Sequence, residues 1–119
     1  MTMSGKPALG ALLAVMLSGC AGGAQDAAVE NGKLVATRQC SGCHAIGATG
    51  ASPLPEAPVF RTILSRYRRD VLETELIQHM QVGHAAMPEF QFNPAATADL
   101  LAYLDSIQVN GKAEPTATP

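Results

Sequence analysis

Cys40-Ser41-Gly42-Cys43-His44 concentrates more chemistry than any other stretch of this sequence. Two thiols at this spacing can add across the two vinyl groups of a haem and form two thioethers. The histidine that follows can then reach the iron through its outer ring nitrogen, and the pattern is an attachment signature. Two other chemistries use paired thiols. A redox-active dithiol places its first cysteine at a helix N-terminus beside a βαβ unit; here the pair follows a helical stretch and no alternating strand pattern occurs. A structural zinc site takes four ligands. Cys40, Cys43 and two of His44, His79 and His84 could supply them, although His44 directly after Cys43 is awkward for a common tetrahedron. Covalent haem is the chemistry these residues favour.

Composition is consistent with a large apolar guest. The 119 residues allow one domain, and 47% are hydrophobic, too many for a disordered chain. Only 4% are aromatic and none is tryptophan, so a core built from this chain lacks bulky filler, which a haem would provide. A net charge of -2 lacks the basic excess that nucleic-acid binding requires. Three cysteines exclude a closed disulfide framework unless one has another task.

Periodicity predicts an all-α domain of three main helices and a short one. The first runs from about Asp26, a candidate cap, to Gln39, with Val29, Leu34 and Val35 apolar and Gly32 inviting close approach by another helix. Pro53, Pro55 and Pro58 keep 47–58 in a loop. A short helix is expected over Val59–Tyr67. Asp70 with Glu73 forms a capping-box pattern for the next helix, whose apolar side is Val71, Leu72, Leu76, Ile77 and Met80 and whose stop is Gly83. Asn93-Pro94 starts the last helix, with Leu100, Leu101, Tyr103, Leu104 and Ile107 inward and Asn110-Gly111 as its stop.

The first residues read as an address. Lys6 precedes the apolar run Ala8–Leu17, too short to span a bilayer, and Leu17-Ser18-Gly19-Cys20 resembles the lipobox of bacterial lipoproteins. The resemblance implies a signal peptide over 1–19, lipid on Cys20, and a flexible tether to residue 28. The folded domain is expected over 29–110, and 111–119 are expected to form a disordered tail. Cleavage leaves seven basic and ten acidic residues, a formal charge of -3.

From Val29 to about Val109 the sequence resembles small bacterial class I cytochromes c. Four features carry the likeness: Gly32 eight residues before Cys40, the Cys40–His44 motif, the Met87-Pro88 loop with Phe90, and Leu100–Leu104. Ala36 departs from the family, where an aromatic is common, and is expected to leave the helix crossing less filled. The resemblance implies one covalent haem c on Cys40 and Cys43, with iron held by His44 and Met87. Met80, His79 and His84 are rivals for the distal position, but Met80 has the helical spacing of a core residue. A proline carbonyl is expected to hold the His44 ring; Pro58 is chosen over Pro53 and Pro55. Phe60, Leu64, Leu76, Ile77, Phe90 and Leu101 are candidates to pack the haem, with Tyr67 or Arg61 at a propionate. Arg61, Arg66, Arg68 and Arg69 form either a solvated helix end or a docking surface for an acidic partner.

Iron with both faces occupied suits outer-sphere electron transfer rather than oxygen activation. The expected protein is therefore an electron carrier and not an enzyme alone. It would be exported, lipid-anchored on the periplasmic side of a bacterial membrane and monomeric, with redox proteins as donor and acceptor. Ala21 and Gly22 lack the aspartate associated with inner-membrane retention, which favours the outer membrane. The alternatives are an electron-transfer subunit of a periplasmic oxidoreductase complex and a haem-based ligand sensor.

Overall fold

The computed structural model describes residues 1, 2, 5, 21–78 and 86–109. The expected signal peptide, Cys20, the rival ligands His79, Met80 and His84, the stops at Gly83 and Asn110-Gly111, and the tail lie outside the described residues. Three α-helices form: α1 (Ala21–Gln39), α2 (Arg69–Ile77) and α3 (Pro94–Ile107). A 3-10 helix, Phe60–Ser65, precedes α2, and no strand occurs among the described residues. The fold is all-α.

Helix α1 starts at Ala21, five residues before the expected cap Asp26, so the segment expected to be a flexible tether is helical. Residues 22–27 are nevertheless exposed. The physical reason is propagation: four of the eight residues from Ala21 to Ala28 are alanine, the best helix former, and extending a packed helix avoids the cost of a new nucleus. Asp26 accordingly lies inside the helix rather than at its start. Asp70 is not a cap either. The N-cap of α2 is Arg68, without a side-chain cap hydrogen bond, and Asp70 sits in the first turn. Its carboxylate instead takes two guanidinium hydrogen bonds from Arg68, at 2.7 and 3.1 Å. That charged pairing is stronger than a bond to a neutral amide, and it holds the Asp70 carboxyl below its ordinary range. Of the apolar residues expected to face inward, Leu72 and Leu76 are buried and Val71 is exposed.

Asn93 and Pro94 start α3 as their types dictate. The Asn93 side chain accepts from the Ala96 amide at 2.8 Å, and Pro94 occupies the first turn, where its missing N–H costs nothing. Leu100, Leu101, Tyr103 and Leu104 are buried. The far end of α3 is fastened by Gln108. Its Nε2 donates to the carbonyls of Phe60 and Leu104 at 2.8 and 2.9 Å, and its Oε1 accepts from the Leu64 amide at 3.2 Å. The 3-10 helix is thereby tied to α3.

Helices α1 and α3 meet backbone to backbone at Gly32. A Cβ there would land on the Asp99 carbonyl oxygen and stand 2.6 Å from the Asp99 carbonyl carbon and 2.8 Å from Tyr103 Cβ. Ala36, one turn on, is completely buried. The expectation of a looser crossing is not what forms: the small residue lies in the core with the α3 leucines. Tyr103 supplies a ring from the other helix, and its hydroxyl donates to the Ile46 carbonyl at 2.8 Å.

Gly32→Ala should destabilise the fold by about 3 kcal/mol or more, read by denaturant unfolding, because the obstacle is largely backbone and the helix-propensity gain of about 1 kcal/mol is too small to offset it. Tyr103 gives a pH signature. Burial, then the Glu30 charge, raises its phenol above 10.0. A raised pKa in the folded state favours the neutral form, so this contribution is complete below the unfolded value and is lost as pH rises through the folded one. Tyr103→Phe should cost about 1 kcal/mol at neutral pH and reduce the alkaline loss of stability.

Candidate functional site

The last turn of α1 delivers the Cys40–His44 motif. The Cys40 and Ser41 amides both donate to the Ala36 carbonyl, at 2.9 and 3.1 Å, ending the helix. The chain then folds on itself, with the Cys43 and His44 amides donating to the Cys40 carbonyl at 3.1 and 2.9 Å. This turn leaves Cys40 buried and Cys43 exposed, with neither in a disulfide. Burial pushes the Cys40 thiol up to about 11. A redox dithiol needs the opposite, a thiol pulled down by a helix N-terminus; Cys40 follows a helix C-terminus, the negative end of the dipole.

The proline-rich loop completes the turn's support. Leu54 donates its amide to the Cys43 carbonyl at 3.1 Å, and the Ser52 hydroxyl accepts from the Ala45 amide at 3.0 Å. His44 Nδ1 lies 2.7 Å from the Pro58 carbonyl oxygen. A carbonyl only accepts, so Nδ1 carries the proton and donates, and Nε2 keeps its lone pair. The imidazole also packs on Phe60, ring centroids 5.1 Å apart. Neither Pro53 nor Pro55 makes this contact with the ring.

Cys40, Cys43, His44, Pro58 and Met87 all line one cavity whose mouth opens to solvent. Its walls are mainly apolar: Phe60 and Ile63 from the 3-10 helix, Leu72 and Leu76 from α2, Phe90 and Phe92 from the following loop, Leu100 and Leu104 from α3. An apolar lining with two thiols, a histidine and a methionine suits a flat apolar macrocycle that carries iron. Two thiols stand ready at one end, and a histidine and a methionine are available as iron ligands. Among the described residues, no three of His, Cys, Asp and Glu come together to hold a metal ion directly.

The expected packing residues divide. Phe60, Leu76 and Phe90 line the cavity, as does the propionate candidate Tyr67, whereas Leu64, Ile77 and Leu101 do not; Leu101 is completely buried in the core. Arg61 also lies off the cavity, its guanidinium donating to the Gly50 carbonyl at 2.8 Å. Ile63, Leu72, Phe92, Leu100 and Leu104 were not expected there. Helical spacing held the signal: Phe60 with Ile63, Leu72 with Leu76, and Leu100 with Leu104 stand three or four apart, on one face of their helices. The expected arginine docking surface is largely engaged within the chain. Arg68 pairs with Asp70 at 2.7 Å and Arg69 with Asp105 at 3.0 Å.

The family model of cytochrome c matches residues 29–108. The chain belongs to the cytochrome c family, whose members carry covalent haem c and transfer electrons. Searches of curated proteins and of solved structures gave no match.

Phe60 links the ring of His44 to the core and is only 5% exposed. Phe60→Ala should cost about 3–5 kcal/mol by chemical denaturation.

Proposed function

We propose that this protein is a membrane-tethered periplasmic cytochrome that carries single electrons between redox partners. In this reading Cys40 and Cys43 hold the haem, and His44 and Met87 bind its iron. The observation that carries the reading is the convergence of these four side chains on one apolar cavity, with the His44 ring fixed on Pro58. The haem supplies a one-electron ferric–ferrous couple. His44 offers Nε2, made more basic by the bond that Nδ1 donates. Met87 offers a soft thioether, which favours the ferrous state and raises the potential relative to a nitrogen ligand. Apolar walls limit water at the site and thereby tune the same potential. An iron held by both His44 and Met87 would have no position open to a reacting ligand, which suits a carrier.

Cys20 immediately precedes the first residue of α1. Lipid on its sulfur would add ~0.8 kcal/mol per buried methylene and confine the domain to a surface, raising its effective concentration near partners. The helical start of α1 makes the link stiff: the nine residues Ala21–Val29 rise by about 13 Å.

Haem staining after denaturing electrophoresis should be positive, with neither Cys40 nor Cys43 open to alkylation. Met87→Ala should lower the midpoint potential and admit carbon monoxide to the ferrous protein. Rapid, complete carbon monoxide binding by the unaltered protein would support ligand sensing instead. Cys20→Ala should shift the protein from the membrane to the soluble fraction. Colourless protein with both thiols reactive would end this proposal.

A further inference from the structure

No lysine or arginine lines the cavity, whereas the carboxylate Glu56 does. Lysine and arginine are absent from 39–60 and again from 71–110. Every lining residue except Ile63 and Tyr67 comes from those two stretches. The exposed lining residues are Gln39, Gly42, Cys43, Glu56, Ala86 and Pro88, small or apolar apart from one amide and one carboxylate. Glu89, also exposed, sits between the lining residues Pro88 and Phe90 and adds a second negative charge. Three nearby cations are directed elsewhere, and Arg66, exposed before the lining residue Tyr67, does not itself line the cavity. Arg61 donates to Gly50, Arg68 pairs with Asp70, and Arg69 pairs with Asp105. Arg38 precedes Gln39 in α1 but does not line the cavity.

We propose that this mouth docks a redox protein whose own docking face is apolar and rimmed by lysine and arginine. The inference rests on the electron-carrier reading of the cavity and names the partner's chemistry. Opposite charges speed encounter, and like charges placed face to face disfavour it, so Glu56 and Glu89 select for a basic rim and against an acidic one. The apolar residues between them supply the desolvated centre of the contact. This reverses the acidic partner that the arginine run suggests from sequence.

The test uses the purified haem-loaded protein and two small one-electron oxidants, a cationic cobalt complex and ferricyanide, each followed against ionic strength. The rate with the cation should fall as salt rises, and the rate with ferricyanide should rise. Glu56→Lys combined with Glu89→Lys should slow the cation by roughly threefold or more at low salt and speed ferricyanide, flattening or reversing both slopes. Asp26→Lys is the control for net charge. It lies 14 residues before Cys40, about 21 Å along the helix direction and roughly two Debye lengths away at 0.1 M salt, and should leave the rates at that ionic strength nearly unchanged. Glu56→Gln with Glu89→Gln should shift the rates in the same direction by less, and serves if the lysine variant folds poorly. A basic redox protein should also exchange electrons faster than an acidic one of similar potential. Haem-loaded, redox-active protein whose slopes ignore the mouth variants, or respond equally to Asp26→Lys, overturns this inference alone. Protein without covalent haem overturns the carrier reading and this inference with it.

Discussion

The architecture depends on the contact between α1 and α3 at Gly32, where the lack of a side chain lets one helix rest against the Asp99 carbonyl of the other. This close approach fixes α1 against α3, and the two thiols and the histidine follow directly on its C-terminus. Ala36 extends the contact by a turn, and Tyr103 ties α3 to the chain just past His44 through the Ile46 carbonyl. A bulkier residue at position 32 would push the helices apart and move the haem attachment motif relative to the leucines of α3. Packing at native density transmits such a shift rather than absorbing it.

Around that crossing, polar groups do the aligning and apolar groups do the enclosing. Pro58 directs the imidazole, the Cys40 carbonyl closes the motif's turn, and Gln108 clamps the 3-10 helix to α3. Each of these bonds uses a backbone carbonyl, so none depends on a charged partner that salt would screen. The exposed ion pairs of Arg68 and Arg69 contribute little stability by comparison, since solvent-exposed pairs are worth ~0–1 kcal/mol. Their larger consequence is for recognition: cationic groups occupied by Asp70 and Asp105 are less available to a partner, and the cavity's own border is left with carboxylates.

One polar group is out of step with this pattern. The Thr97 hydroxyl is completely buried in α3 and has no hydrogen-bond partner. A buried, unpaired hydroxyl costs on the order of 1–3 kcal/mol, so stability is not maximal at this position.

The amino-acid order by itself determined the helical class, the start of α3 and the chemistry of the Cys40–His44 motif, because caps, prolines and thiol spacing act within a few residues. It also brought Pro58 and Met87 forward, through resemblance to a family rather than through local physics. It misplaced the start of α1 and the role of Asp70, where helix propagation and a guanidinium pair outcompeted the local cap. Only the tertiary structure decided which leucines face the cavity, that Gln108 fastens the two elements, and that Arg61 turns to Gly50. These outcomes depend on groups far apart in the chain meeting at hydrogen-bond or van der Waals distance, and no short-range pattern encodes such meetings.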